Sequence, residues 1–299
     1  MRTPAIGLVG PSSCLPHKNT ADRAARFFSK RGWRVQAGES VFARQQRFAG
    51  SDELRASDLQ LFATDHSLDV VLAVRGGYGL SRILDRLDYA AIARAGRILV
   101  GYSDFTAFNL ALLARTGAIS FQGPAASDFA ARPPNHFTIE EFFSTIESTK
   151  HTLSFKTESA DLSVKGRLWG GNLAMVCALL GTRFFPAVRG GILFLEDVNE
   201  PAYRIERMLL QLSHAGVLAR QRAILLGAFD PVTPMPHDNG FDLVAVIDHV
   251  RASIDVPIVT GLPFGHVAQK ATLPVGAPAQ LAVRGGVGEL SFGEYPSLK

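Results

Sequence analysis

Two cysteines in 299 residues, Cys14 and Cys177, stand far apart with no Cys-x-x-Cys or Cys/His spacing. That pattern excludes a disulfide framework and a cysteine-built zinc site, and it fits a reducing compartment. No stretch approaches the roughly 18 apolar residues that a membrane helix needs. The apolar run in the opening MRTPAIGLVGPSSC is too short for a signal-peptide core and is cut by Gly10-Pro11. Cys14 follows Pro-Ser-Ser, which is no lipidation signal, so a cytoplasmic location with no membrane contact is expected. Blocks of like charge are also missing: 31 Lys and Arg face 27 Asp and Glu, for a formal net charge of +4. Such a balance argues against nucleic acid as a partner and only slightly favours small anionic substrates. Neither GxGxxG nor GxxxxGK[ST] occurs, and there is no internal repeat or low-complexity tract.

What is present is a chain 47% hydrophobic and 19% charged, suited to one large or two ordinary globular domains. Short β-branched runs alternate with segments of helical period through the first 125 residues, which predicts βα units building a parallel sheet. Strands are expected at 5–9, 70–74, 98–102 and 119–122, with a weaker one at 34–36. Helices are expected at 21–30, 52–64, 81–93 and 105–115. Residues 126–164, with Pro133-Pro134 and scattered charge, read as a connecting segment. From 165 to 299 strands are expected at 191–195, 223–226, 256–259, 280–283 and 289–292, with helices at 172–180, 202–214 and 241–252. The expected fold class is therefore α/β: an N-terminal parallel-sheet domain (1–125) and a smaller mixed α/β C-terminal domain (165–299).

In an open parallel sheet, ligands bind beyond the carboxyl ends of the strands. Three loops end there: Gly10-Pro11-Ser12-Ser13, Arg75-Gly76-Gly77-Tyr78-Gly79 and Gly101-Tyr102-Ser103-Asp104. Each precedes an expected helix, so backbone N–H groups and helix dipoles converge on one space suited to an anion or oxyanion. The glycines serve a tight turn, a phosphate cradle, or an oxyanion hole in which the Gly77 N–H approaches a reacting carbonyl. Ser103 sits on a strand–turn–helix corner resembling a nucleophile elbow, although Phe105 stands where GxSxG has its second glycine. The competing role is an N-cap. Asp104 is an equally good cap, and Thr106 stands where a capping box from Ser103 needs Glu or Gln.

A serine nucleophile needs a base and a group that orients it. Among eight histidines, His66, His151, His214 and His249 lie in or beside expected helices, and His17, His136 and His237 lie in polar loops. His266 differs, because Gly261-Leu262-Pro263-Phe264-Gly265-His266 is an apolar, glycine-flanked loop able to hold an imidazole rigidly. The apolar strand at 191–195 runs into Glu196-Asp197-Val198-Asn199-Glu200, where three carboxylates compete. Glu196 is nearest the strand; its alternative is an ion pair with an arginine such as Arg204. Neither cysteine occupies an elbow, which argues against a cysteine nucleophile. Arg75 and Arg204 are candidates for gripping a substrate carboxylate, and Ser12 and Tyr78 for further substrate contacts. Trp169 stands in a loop where an aromatic can stack on a base, but core packing is its commoner fate.

Taken together, "PSS", "RGGYG", "GYSDFTAF", "GRLWGGNLAMVCALLGT", "FLEDVNEPAYRIERML", "GLPFGH" and "LPVGAPAQL" resemble the LD-carboxypeptidase family, the muramoyltetrapeptide carboxypeptidases. The motifs occur in order along nearly the whole chain, with none across 125–165. The resemblance implies a serine peptidase with a Ser103, Glu196 and His266 triad, and an oxyanion hole from the backbone N–H groups of Gly77 and Asp104. It implies a homodimer without metal or cofactor that releases the terminal D-alanine from cytoplasmic murein tetrapeptides during cell-wall recycling. A branch of the same family consists of self-immunity amidases acting on peptidyl or aminoacyl nucleotide antibiotics. A non-catalytic small-ligand binding protein is the rival from another class.

Overall fold

The computed structural model describes residues 3–17, 19–230, 232 and 237–298. The first part runs β1 (Ala5–Val9), α1 (Asn19–Ser29), β2 (Arg34–Ala37), α2 (Asp52–Thr64), β3 (Val70–Ala73), α3 (Tyr89–Ala95), β4 (Ile98–Gly101), α4 (Thr106–Thr116) and β5 (Ser120–Gln122). The stretch 126–164 holds α5 (Ala126–Phe129), α6 (His136–Ile146), β6 (Lys150–Lys156) and the start of β7 (Leu162–Asn172). There follow α7 (Leu173–Leu179), β8 (Ile192–Asp197), α8 (Ala202–His214), β9 (Ala223–Phe229), α9 (Leu243–Ser253), β10 (Ile258–Thr260), β11 (Leu273–Val275), β12 (Pro278–Arg284) and β13 (Val287–Gly293).

Two sheets result. The first has the order β11-β5-β4-β3-β1-β2 and is parallel except for β11. Its central strands β1, β3 and β4 are buried at every residue, as strands covered by helices on both faces must be, and the edge strand β2 is partly exposed. The second has the order β10-β9-β8-β7-β12-β13-β6. There the first half of β7 pairs antiparallel with β12 and its second half parallel with β8, so one long strand joins a meander to a βα unit. The fold is α/β with one mostly parallel and one mixed sheet.

The expected helix at 81–93 is resolved differently. Leu80–Arg82 and Leu84–Arg86 are 3₁₀ turns, and Leu87 is extended. Asp88 accepts a hydrogen bond from the Ala91 N–H at 2.9 Å, a cap that starts the helix at Tyr89. Strand β6 alternates exposed Lys150, Thr152, Ser154 and Lys156 with buried Leu153 and Phe155. That period of two is hidden by the charges when the stretch is read as a connection.

The two parts of the chain are joined through β5 and β11. Strand β11, from the last part of the chain, adds antiparallel to β5, with Leu273 opposite Gln122 and Val275 opposite Ser120. Nearby, the Thr106 hydroxyl oxygen accepts from Gln122 Nε2 at 2.7 Å and from the Asn172 N–H at 3.0 Å, which links α4, β5 and the end of β7. Gly171 has φ +138°, and a Cβ there would strike Thr106 and Gln122, so only glycine allows this approach.

Candidate active site

Strand β4 delivers the chain to Ser103, whose φ of +63° lies in the left-handed region that costs an L-residue about 1–3 kcal/mol. Ser103 is half-exposed and its hydroxyl caps neither the 3₁₀ turn at Ser103–Phe105 nor α4. Asp104 caps nothing either. Its buried carboxylate points back between the other two loops, where Oδ2 accepts from Ser12 Oγ at 2.6 Å and from the Leu80 N–H at 2.9 Å. Burial raises the Asp104 pKa despite these bonds. A Cβ on Gly76 would lie 2.6 Å from Ser103 Cβ, so the glycine loop packs directly against the serine.

The three loops expected to meet do so, and buried polar side chains hold them. Arg55, on α2, donates through Nη1 to Pro11 O at 2.6 Å and to Gly79 O at 2.9 Å, and its Nη2 pairs with Asp52. Ser13 Oγ accepts from the Tyr78 N–H at 3.0 Å, while the Ser13 N–H donates to Gly76 O at 3.3 Å. Gly77 has φ +100°, and a Cβ there would collide with Ser13 Oγ. No partner takes the Gly77 N–H among the described residues. Arg75 is half-buried and spends Nη1 on Cys14 O at 2.9 Å, leaving its other guanidinium N–H groups available. Tyr78 is exposed, with the Arg47 guanidinium 5.7 Å from its ring centroid. Ser12 is 1% exposed and its hydroxyl is committed to Asp104, which leaves it no face toward a ligand.

Across the cleft, Glu196 is fully buried at the end of β8, and its Oε2 lies 2.8 Å from Nδ1 of His266. Its Oε1 accepts from Asn172 Nδ2 at 3.2 Å. The neighbouring carboxylates are occupied elsewhere. Asp197 accepts from Asn172 Nδ2 at 2.8 Å and from the N–H groups of Ala174 and Val198, both at 2.9 Å, and burial raises its pKa. Glu200 pairs with Arg204 Nε at 2.9 Å, so Arg204 is partnered by Glu200 rather than Glu196. The His266 loop lies flat on the second sheet: a Cβ on Gly265 would sit 3.3 Å from Glu196 Cβ and one on Gly227 would strike Phe264 O. With Nδ1 turned to the carboxylate, Nε2 is the nitrogen left for chemistry. The imidazole centroid lies 5.0 Å from that of Tyr102, the residue before Ser103. Ser103 Oγ and His266 share no hydrogen bond in this conformation.

Trp169 is fully buried, donating Nε1–H to Gln221 Oε1 at 3.0 Å and packing edge-on to Phe185, so it belongs to the core. Burial pushes the Cys177 thiol up to about 12. His151 lies in β6 and pairs with Glu141 at 3.0 Å. Among the described residues no helix is long and apolar enough to cross a membrane, and no group of three or more His, Cys, Asp or Glu residues is arranged to hold a metal ion. The sequence predicts only a helix start at Asn172. The structure makes it the donor that braces both Glu196 and Asp197, and its sole local signal is the asparagine closing the Gly170-Gly171 turn.

Residues 6–123 match the LD-carboxypeptidase N-terminal domain, and residues 165–281 match the LD-carboxypeptidase C-terminal domain. A probable murein peptide carboxypeptidase of Bacillus subtilis is 31% identical over 281 residues, covering 92% of this chain and 88% of that protein. The crystal structure of muramoyltetrapeptide carboxypeptidase from Oxalobacter formigenes is 40% identical and superimposes with a TM-score of 0.93, covering 98% of this chain and 100% of that one. The microcin C7 self immunity protein MccF, at 24% identity and a TM-score of 0.90 over 99% of this chain and 98% of its own, shares the fold. With two matching domains in order and a relative aligned over most of its length, the chain belongs to the LD-carboxypeptidase family.

Proposed function

We propose that this protein is a serine carboxypeptidase that hydrolyses the L,D-peptide bond of murein tetrapeptides, releasing terminal D-alanine in the cytoplasm during peptidoglycan recycling. It acts as a homodimer, with the nucleophile in residues 1–125, a connecting segment at 126–164, and the acid and base in 165–299. The observation that carries the reading is the buried Glu196 bonded to His266 at 2.8 Å, with the imidazole 5.0 Å from the ring of Tyr102, the residue before a serine in the left-handed region.

In this mechanism His266 Nε2 takes the Ser103 proton as the hydroxyl oxygen attacks the carbonyl carbon before the terminal D-alanine. Glu196 holds the imidazole in the Nδ1–H tautomer and stabilises the imidazolium that forms. The Gly77 and Asp104 N–H groups receive the developing oxyanion. The imidazolium protonates the departing amine, and water, deprotonated by the same imidazole, resolves the acyl-enzyme. Proton transfer requires Oγ and Nε2 to come within about 2.6–3.2 Å, a contact that commonly tightens only with substrate bound. The free guanidinium N–H groups of Arg75 suit the terminal carboxylate, and exposed Tyr78 on the same loop suits the peptide.

A self-immunity amidase would use the same three residues, and the shared fold supports it. Buried Trp169 offers no stacking surface to a base, which favours the peptide reading. The test is incubation of wild type and Ser103→Ala with a murein tetrapeptide, assayed for free D-alanine. Release by wild type alone is expected. Release by both overturns Ser103 as nucleophile, and release by neither turns the choice to the amidase or to a non-catalytic binder.

A further inference from the structure

After β10 in the second sheet the chain passes through His266 and enters β11 in the first sheet, so the base rides on a segment strung between the two. Glu196 fixes the imidazole to the second sheet. Something else must fix it to the first, where Ser103 lies.

We propose that Lys270 is a positioning residue that clamps the His266 loop to the serine side of the cleft and so sets the distance between base and nucleophile; this rests on the serine-hydrolase reading above. Lys270 is 1% exposed. Its Nζ donates to the carbonyl of Val267, the residue after the histidine, at 2.6 Å. The same ammonium lies 3.4 Å from Asp128 Oδ1 on α5 and 4.7 Å from the centroid of the Tyr102 ring, which itself packs on the His266 imidazole. Three points adjoining the reacting groups thus converge on one nitrogen: the peptide after His266, the ring before Ser103, and α5, which follows the first sheet's β5 in the chain.

The surroundings hold the clamp in register. The Lys270 N–H donates to Thr138 Oγ1 at 2.9 Å, and that hydroxyl donates to Ala268 O at 2.7 Å, so α6 grips both sides of the loop. Asp128 Oδ2 accepts from the Ala125 N–H at 2.8 Å. The Ser127 N–H donates to Val74 O at 3.2 Å, which ties α5 to the end of β3, one residue before Arg75 and the glycine loop. Burying an ammonium is costly, and an apolar side chain of similar length would fill the same space. The charge is retained where its three contacts determine the approach of imidazole to serine.

Catalytic groups misplaced by about 1 Å lose about 100-fold in rate. The test compares wild type, K270M, Y102L and the double variant by their rates of labelling with a fluorophosphonate, which reports activation of the serine whatever the peptide specificity. The parameters kcat and KM for the tetrapeptide and the thermal midpoint are measured alongside. K270M is expected to label about 10- to 100-fold more slowly, with kcat falling in parallel and KM within about twofold. Y102L should show a similar loss, and the double variant should be little worse than either, because both act through one stack. A K270M protein that labels at the wild-type rate, or losses that multiply in the double variant, overturns the assignment. Should K270M fail to fold, D128N, which weakens the clamp from its more exposed end, is expected to label more slowly than wild type; an unchanged rate overturns the proposal. A wild type inert to the fluorophosphonate removes the hydrolase reading and this role with it, whereas a reactive wild type with an equally reactive K270M removes the role of Lys270 alone.

Discussion

Around Ser103 the cleft is held by side chains that bond to backbone: Asp104 to the Leu80 N–H, Arg55 to the carbonyls of Pro11 and Gly79, and Ser13 to the Tyr78 N–H. Around His266 the imidazole itself is held by contacts between side chains, Glu196 to imidazole and Asn172 to Glu196, and Lys270 and Thr138 bond to the backbone of the loop that is stretched from one sheet to the other. The serine side is thus fixed as soon as its own sheet folds, because buried polar groups that bond to backbone leave it no second arrangement. The base side depends on how the two sheets sit together. A perturbation on the serine side should therefore appear first as lost stability, and one on the base side first as lost rate.

Variants of graded effect can break or sharpen that contrast. The largest effect is expected for Ser103→Ala, which should lower D-alanine release by roughly 10⁴- to 10⁶-fold while leaving the fold intact, as shown by an unchanged circular dichroism spectrum. Glu196→Gln should lower kcat by about 10²- to 10⁴-fold at nearly constant KM, because an amide turned toward Nδ1 favours the wrong tautomer. A Gln variant with wild-type kcat would mean that the carboxylate only fills space.

Ser12→Ala works on the opposite side. It removes the 2.6 Å bond to buried Asp104 and should cost about 1.5–3 kcal/mol of stability, read by chemical denaturation, with activity per folded molecule changed less than about tenfold. A large loss of rate without loss of stability would reverse the contrast between the two sides. The smallest effect concerns pH. Burial holds Asp104 above its ordinary value of 3.8, so the native state binds that proton more tightly than the unfolded chain does. The stability this contributes is complete below about 3.8 and is lost as pH rises through the higher native value. Asparagine does not ionise, so the difference in unfolding free energy should move in favour of Asp104→Asn as pH climbs from about 4 to 7. A constant difference would show that burial does not penalise this carboxylate.

Much of the fold was legible because its central strands, covered on both faces, must be apolar runs, and because α2 begins at Ser51, whose side chain accepts from the Leu54 N–H. Strand β11 was not legible. Pro274 at its centre reads as a loop, and only the edge position, where a missing N–H costs no ladder bond, lets Leu-Pro-Val pair with β5. Ser103, Glu196 and His266 stood out because each closes a strand or sits in a glycine-flanked loop. Their supports did not, since they act across long stretches of chain: Ser12 and Asp104 are 92 residues apart, and Asn172 and Glu196 are 24 apart. Asp104 looked locally like a cap, and only the return of the Ser12 and Leu80 loops gives its carboxylate other work.

The pairing of β11 with β5 also bears on how the chain comes off the ribosome. Until Leu273–Val275 has been synthesised, the outer side of β5 offers a bare row of N–H and C=O groups to any strand that passes. A fragment ending at the nominal first boundary would therefore carry Ser103 but also an adhesive seam. The late arrival of three residues seals that seam and, in the same movement, ties the segment that carries His266 to the sheet that carries Ser103.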